Sequence, residues 1–227
     1  MQHCQYRGVD GVVIACVDFE DPQVLELVNS KLPVVTIDHV FNNRAAVVSD
    51  NVRGMEELVR HVYAKGHRRI AFIHGEQTAV TENRLTGFYR ACDALELEIP
   101  DAYIREGVYH DPDRCAELTR ELLRLPEPPT CILMPDDFSS IGGRNAIHRM
   151  GLRLPEDISV VGYDGIQIAS VMSPALTTYR QDTQALGRTA AAKLIELIEK
   201  PRTALVDRIL IPGHLVEGAS VRAIETL

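Results

Sequence analysis

Apolar residues along this chain fall into two alternating patterns. Short runs rich in Val, Ile and Thr occupy residues 9–15 (VDGVVIA), 34–38, 46–49, 69–74, 131–134, 158–162 and 177–181, and they predict buried strands. Between them the apolar period lengthens to three or four residues, the spacing of a helix with one buried face. Asp21 and Pro22 prime a short helix over 23–30. Asp50 or Ser49 can cap the next, which carries Val52, Met55, Leu58, Val59 and Val62 on one face and ends at Gly66. Leu85, Phe88, Cys92 and Leu95 mark a helix over 82–95. Asp111 and Pro112 open another with Cys115, Leu118 and Leu122, stopped by the Pro-rich stretch 125–129. A helix starting near Phe138 contains Gly142 and Gly143, read as points of close packing. A last amphipathic helix spans 183–199, and residues 208–211 with 214–217 read as a terminal β pair. Strands separated by helices of this length imply an α/β fold with parallel sheets and right-handed crossovers.

Composition narrows what such a fold can do. At 227 residues the chain is long enough for one large α/β domain or two small ones. The 45% hydrophobic and 25% charged content does not signal disorder. A formal charge of -8 argues against this segment holding nucleic acid by itself, because phosphate binding needs clustered Lys and Arg. Cys4, Cys16, Cys92, Cys115 and Cys131 form no CxxC pair and read as reduced core residues of a cytoplasmic protein. The start, MQHCQYRGVDG, has no apolar signal-peptide core, and no run is long enough for a membrane span.

Candidate chemistry concentrates where strands end. ISVVGYD, residues 158–164, is a buried run closing on an acid, and LTTYRQD, residues 176–182, closes on an amide and a second acid. Open α/β sheets bind ligands outside the carboxyl ends of their strands. A carboxylate such as Asp164 suits a polyhydroxyl ligand, since its two oxygens accept from vicinal hydroxyls in one plane. His61 and His67 flank a helix end without the spacing of a metal pair, and no Gly-x-Ser-x-Gly elbow, phosphate loop or dinucleotide fingerprint occurs. Neither a metal, a cofactor nor catalysis is therefore expected.

Several stretches carry a family resemblance. VDGVVIA, PVVTID, VSDNVRGMEELVRHVYAKGHRRIAFIHG, ENRLTGFYRA, PDDFSSIGGRNAIHRMGLRLPEDISVVGYD and PALTTYRQDTQALGRTAAAKLIELI follow one another with the spacing of the effector-binding core of the lactose-repressor (LacI/GalR) family. The chain resembles that core over nearly all of residues 8–220. The resemblance implies a periplasmic-binding-protein-like type I core, with two Rossmann-like subdomains joined by hinge crossovers. It places residues 1–48 plus 183–208 in an N-terminal subdomain, 49–182 plus 209–222 in a C-terminal one, and 223–227 in a tail. It also implies a homodimeric bacterial transcription factor with a small-molecule effector, a carbohydrate or derivative, and operator DNA bound only through a helix-turn-helix domain. No such domain precedes residue 9, so the chain is expected to be N-terminally truncated. An exposed edge on the first sheet would then make it less soluble and less stable than a version extended by about fifty upstream residues, a difference that melting temperature and monodispersity would show.

The resemblance also assigns a site. Asp164 is expected to contact ligand, and Asp136 likewise, with Asp137 mainly capping the following helix. Arg84, three residues before Gly87, is expected to reach into the cleft with its fork of donors. Asp38 closes a strand of the first subdomain and faces the same cleft. Gln181 serves as ligand contact or as hinge, and Phe138 and Tyr109 are candidate stacking faces in a chain without Trp. Gly165 stands where many family members carry a second acid or amide, and Gly218 where they carry arginine. Cleft closure on a ligand would shift the conformational population and so change DNA affinity. A solute-binding transport component of the same fold is the alternative.

Overall fold

A computed structural model describes residues 8–224. The chain forms two compact units, one running up to Asp50 and again over Asp182–Pro212, the other comprising Asn51–Gln181 and the segment from Gly213 onward.

In the first unit four parallel strands lie in the order β1 (Val12–Ile14), β2 (Val34–Ile37), β3 (Ala45–Ser49) and β9 (Arg208–Ile211). Successive strand residues point to opposite faces. Val34 accordingly joins Ile14 under α1 (Pro22–Asn29), with Val24, Leu27 and Val28. Its neighbour Val35 joins Ala45 and Val47 under α7 (Thr183–Glu199), with Leu186 and Ala190. Covering both faces is what makes these strands read as unbroken apolar runs rather than alternating ones. Asp21 and Asp182 cap the two helices by accepting from the Gln23 and Ala185 amides at 2.7 and 2.8 Å.

The second unit is a six-stranded sheet. It contains β4 (Ile70–His74), β5 (Ile104–Glu106), β6 (Cys131–Leu133), β7 (Ser159–Asp164), β8 (Thr177–Arg180) and β10 (His214–Val216) in the order β10-β8-β7-β6-β4-β5. All neighbours are parallel except β10, which runs antiparallel to β8. On one face, α2 (Asn51–Ala64) and α3 (Ala79–Ala94) bury Met55, Leu58, Val62 and Phe88 against Ile70, Phe72 and Val161. On the other, α4 (Pro112–Leu123) and α5 (Ser140–Arg149) bury Cys115, Leu118 and Ile147 against Ile132 and Val160. Each helix pair meets at a glycine. A Cβ on Gly87 would strike the Val52 carbonyl, and one on Gly142 the Pro112 carbonyl. The glycines of α5 are thus packing residues.

Some expectations change. The expected terminal β pair is not formed: β9 extends the first sheet beside β3, whereas β10 joins the second beside β8. Pro212, which has no N–H to give to a ladder, separates them, and Gly213 donates to the Tyr179 hydroxyl at 3.0 Å. The short α6 (Gln167–Val171), β5 and a 3-10 turn over Asp101–Tyr103 were absent from the sequence reading, being too short to show a period. Cys92, Cys115 and Cys131 are buried thiols, but Cys16 is exposed in the turn after β1, where the apolar run has ended; Cys4 lies outside the described residues. The last described segment is anchored without an arginine at position 218. Gly218 donates to Thr177 Oγ1 at 3.0 Å, and the Ser220 hydroxyl accepts from the Thr177 amide and donates to the Val160 carbonyl. His67 is held between Thr130 Oγ1 and the Arg222 carbonyl, and burial pushes its pKa down to about 4.

Candidate functional site

The carboxyl ends of the parallel strands in the second unit converge on Arg84, in the second turn of α3. Arg84 is 4% exposed. Nε donates to Asn51 Oδ1 at 3.0 Å, Nη1 to the Pro135 carbonyl at 2.7 Å and Nη2 to Asp164 Oδ1 at 3.3 Å. Below it lies the Tyr163 ring, 3.6 Å from the guanidinium carbon. Burial works against the charge, but the oxygens of Tyr109, Asp164 and Tyr163 outweigh it and raise the pKa above the ordinary arginine value. A guanidinium has five N–H groups, so donors remain on both Nη atoms. The result is a cation fixed in place by α2, α3, β6 and β7 together.

Asp164 ends β7 with φ +101, a region that residues with side chains rarely occupy, and Gly165 follows at φ +67. Such a backbone persists only when its surroundings over-determine it. Here they do. Gln181 Nε2 donates to Asp164 Oδ1 at 2.6 Å, so that oxygen serves both Gln181 and Arg84. Among the described residues Oδ2 has no hydrogen-bond partner, and the side chain is 20% exposed. Gly165 is required sterically, since a Cβ there would lie 2.5 Å from Arg180 Cα. The position thus cannot supply a second polar side chain.

Of the two adjacent acids, Asp137 departs from the expectation of a helix cap, and Asp136 is held by donors of the fold. Asp136, 1% exposed, accepts from the Ser139 amide and hydroxyl at 2.7 Å and from the His110 amide at 2.9 Å. It therefore holds the approach to α5, which begins at Ser140 rather than near Phe138. Asp137 does not cap that helix. Its carboxylate turns toward β7 and β8, accepting from Thr178 Oγ1 at 2.6 Å and from the Ile166 amide at 2.8 Å. It occupies the space that a Cβ on Gly162 would need, which explains a glycine inside an otherwise apolar strand. Burial raises its pKa from 3.8 to about 7 against the opposing pull of the Thr178 and Ile166 hydrogen bonds.

Tyr109 completes the cluster. Its hydroxyl meets Thr81 Oγ1 at 2.9 Å, and its ring lies 5.4 Å from the Arg84 guanidinium carbon. Arg84, Asp164, Gln181 and Tyr109 are therefore brought together. Phe138 is 41% exposed just ahead of α5. Asp38 belongs to the first unit, where it follows β2 with φ +57 and accepts from the Ser49 amide at 2.7 Å. In the same unit, Phe19 and His39 stack at 4.3 Å with Phe41 against His39 at 4.6 Å, an aromatic group that single-residue reading missed. Asn51 and the Pro135 carbonyl were missed too; nothing in the chain pattern points a backbone oxygen at a distant arginine.

Other parts of the molecule offer less. A depression of about 220 Å³ in the first unit is lined by Pro33, Arg44, Leu197 and Val206, at the strand ends opposite Asp38. Arg44 there is committed to the Val28, Ser30 and Leu32 carbonyls at the end of α1. Among the described residues no three His, Cys, Asp or Glu side chains are placed to hold a metal ion, and no helix is long and apolar enough to cross a membrane.

Known proteins share this architecture. Residues 59–221 match the periplasmic binding protein-like domain. The chain is 29% identical over 225 residues to a probable HTH-type transcriptional repressor, ExuR, of Bacillus subtilis (strain 168), covering 98% of this chain and 66% of that protein. It thus spans just under two thirds of that repressor's length. Among solved structures, the transcriptional regulator CelR in complex with cellobiose superposes with a TM-score of 0.88 at 27% identity, covering 96% of this chain and 68% of that one. A LacI family transcriptional regulator from Enterococcus faecalis V583 with bound ribose gives 0.84 at 26% identity, covering 96% and 80%. The chain belongs to the periplasmic binding protein-like domain family, in the form found as the effector-binding core of LacI-family regulators.

Proposed function

We propose that the second unit binds a small polyhydroxyl effector, a sugar or sugar derivative, at the Arg84–Asp164–Gln181 cluster. In this reading the chain is the sensing part of a cytoplasmic, homodimeric bacterial transcription regulator. The observation that carries it is Asp164. Its carboxylate is fixed through one oxygen by an arginine and an amide, and its second oxygen is left to accept ligand hydroxyls. Arg84 adds donors suited to ring oxygens or to an anionic substituent. Asp136, Phe138 and Tyr109 border the same strand ends, with Tyr109 able to offer its ring to a sugar face. Asp38 is the corresponding strand-end acid of the first unit. The cellobiose and ribose complexes of similar regulators support a carbohydrate ligand.

A net charge of -8 argues against this chain holding DNA by itself. Operator contact falls to a helix-turn-helix domain, and effector binding acts on it by shifting a conformational equilibrium. Moving such an equilibrium from mostly one state to mostly the other takes about 5.5 kcal/mol of differential affinity, within reach of a few desolvated charge-assisted hydrogen bonds. We read no catalytic role. Asp136 and Asp137, the acids that a hydrolytic reading would need beside Asp164, are committed to donors of their own fold.

A thermal-shift screen of ribose, cellobiose, other sugars, sugar phosphates and nucleosides tests the proposal. A stabilising compound should bind more weakly to Asp164→Ala and to Arg84→Ala, the latter most for an anionic ligand. Wild-type affinity in both variants would remove the assignment.

A further inference from the structure

We infer that Asp137 and Thr178 form a positioning latch that sets the conformation of Asp164 for the effector. The inference rests on the reading of Asp164 as an effector contact. Three observations converge on it. Asp164 and Gly165 are consecutive residues at positive φ, and only the second is a glycine. The two amides that follow this turn are both tied down from the sheet: Ile166 N donates to Asp137 Oδ2 at 2.8 Å, and Gly165 N donates to Thr178 Oγ1 at 3.3 Å. Thr178 Oγ1 itself donates to Asp137 Oδ1 at 2.6 Å, so the two anchors form a single relay.

The groups that make this relay come from different elements. Asp137 follows β6, Thr178 lies within β8, and the turn they hold follows β7, the strand between them in the sheet. Both side chains are buried, at 0% and 1% exposure, so water does not replace either hydrogen bond. Gly162 leaves the opening through which Asp137 reaches across. The hydrogen bonds of the Asp137 carboxyl run to Thr178 Oγ1 and the Ile166 amide, and its effect on the ligand runs through the backbone that aims Asp164. Without the relay, the carboxylate of Asp164 would lose its aim while Arg84 kept its bonds to Asn51 and Pro135.

Hydrogen exchange followed by NMR on the whole chain, without ligand, tests the latch in wild type, Asp137→Asn, Thr178→Val and Thr178→Ser. Loss of a buried hydrogen-bond anchor should speed exchange of the Gly165 and Ile166 amides by roughly 10- to 100-fold in Asp137→Asn and Thr178→Val. Thr178→Ser keeps the hydroxyl and should stay close to wild type. The Val160 amide, near the start of β7 and bonded to the Ser220 carbonyl, should not change. Unchanged Gly165 and Ile166 amides would overturn the latch. So would a uniform loss of protection through β4 to β8, the signature of lowered global stability alone. Should Asp137→Asn fail to fold, the Thr178 pair decides. A sugar that binds wild type should also lose at least about tenfold in affinity to Thr178→Val. A panel without any binding sugar would count against the effector reading, and the amides would still report on the latch.

Discussion

Replacing Arg84 with alanine removes a side chain that ties α2, α3, β6 and β7 at the strand ends of the second unit. The substitution takes away hydrogen bonds to Asn51 Oδ1, the Pro135 carbonyl and Asp164 Oδ1, and it uncovers the Tyr163 ring. Breaking a buried ion pair by deleting one partner costs about 3–5 kcal/mol. Asp164 is 20% exposed and can regain some hydration, which places the loss near the lower end, about 3 kcal/mol. For a domain of this size each kcal/mol shifts the melting temperature by roughly 2–4 °C, so Arg84→Ala should melt roughly 6–12 °C below wild type. Arg84→Lys keeps a charge but not the fork, and should fall between the two. Differential scanning calorimetry of the three proteins at neutral pH makes the comparison. A melting temperature for Arg84→Ala within about 2 °C of wild type would mean less than about 1 kcal/mol at stake, and the description of Arg84 as the fixed centre of the cluster would fall.

Stability should also depend on pH in a way that two variants can separate. Folded Asp137 keeps its proton up to about pH 7, whereas the unfolded chain releases it near 3.8, so its contribution to stability falls as pH rises from about 4 to about 7. His67, depressed from 6.5 to about 4, does the reverse: its contribution is complete above pH 6.5 and is lost as pH drops toward 4. Urea midpoints of His67→Gln should therefore decline between pH 4 and 7 by an equivalent of up to about 4 kcal/mol, and those of Asp137→Asn should rise between pH 4 and 6.5 by up to about 3 kcal/mol. Parallel profiles in the two variants would refute both assignments. Gly142→Ala drives a methyl group into the Pro112 carbonyl between α4 and α5, and should lower the urea-derived stability by about 1–3 kcal/mol; an unchanged midpoint would show that these helices stand farther apart. Among the described residues the buried Tyr163 hydroxyl has no hydrogen-bond partner, so Tyr163→Phe should hold or raise stability by about 1 kcal/mol, with a clear drop in Tm contradicting that.

The longer elements were legible because their apolar spacing repeats several times. α7 runs over Thr183–Glu199, as its period predicts, and β4 and β7 lie within a residue or two of the runs that marked them. Short elements carry too few residues for a period, which is why β5 and α6 went unseen. The terminal strands were misread for another reason. Proximity along the chain suggested a hairpin, whereas the alternating exposure of β9 suits a sheet edge in the first unit. At the site, Asp164 was visible as the acid ending a buried run, and Arg84 by family position. The hydrogen-bond partners of Asp136 and Asp137 were not, because two adjacent acids after a strand point in opposite directions and only the fold says which donors each one meets. Gly162 offered a signal that could have been used: a glycine inside VVGYD marks a close approach, here by the Asp137 carboxylate.

The central claim is that Asp164 and Arg84 together hold the effector. A crystal structure of the chain with the most stabilising sugar from the screen tests it most directly. Ligand hydroxyls should lie within hydrogen-bonding reach, roughly 2.7–3.2 Å, of Asp164 Oδ2 and of the Arg84 guanidinium. A ligand seated elsewhere, in the depression beside Arg44 for example, with Asp164 Oδ2 untouched, would contradict the account.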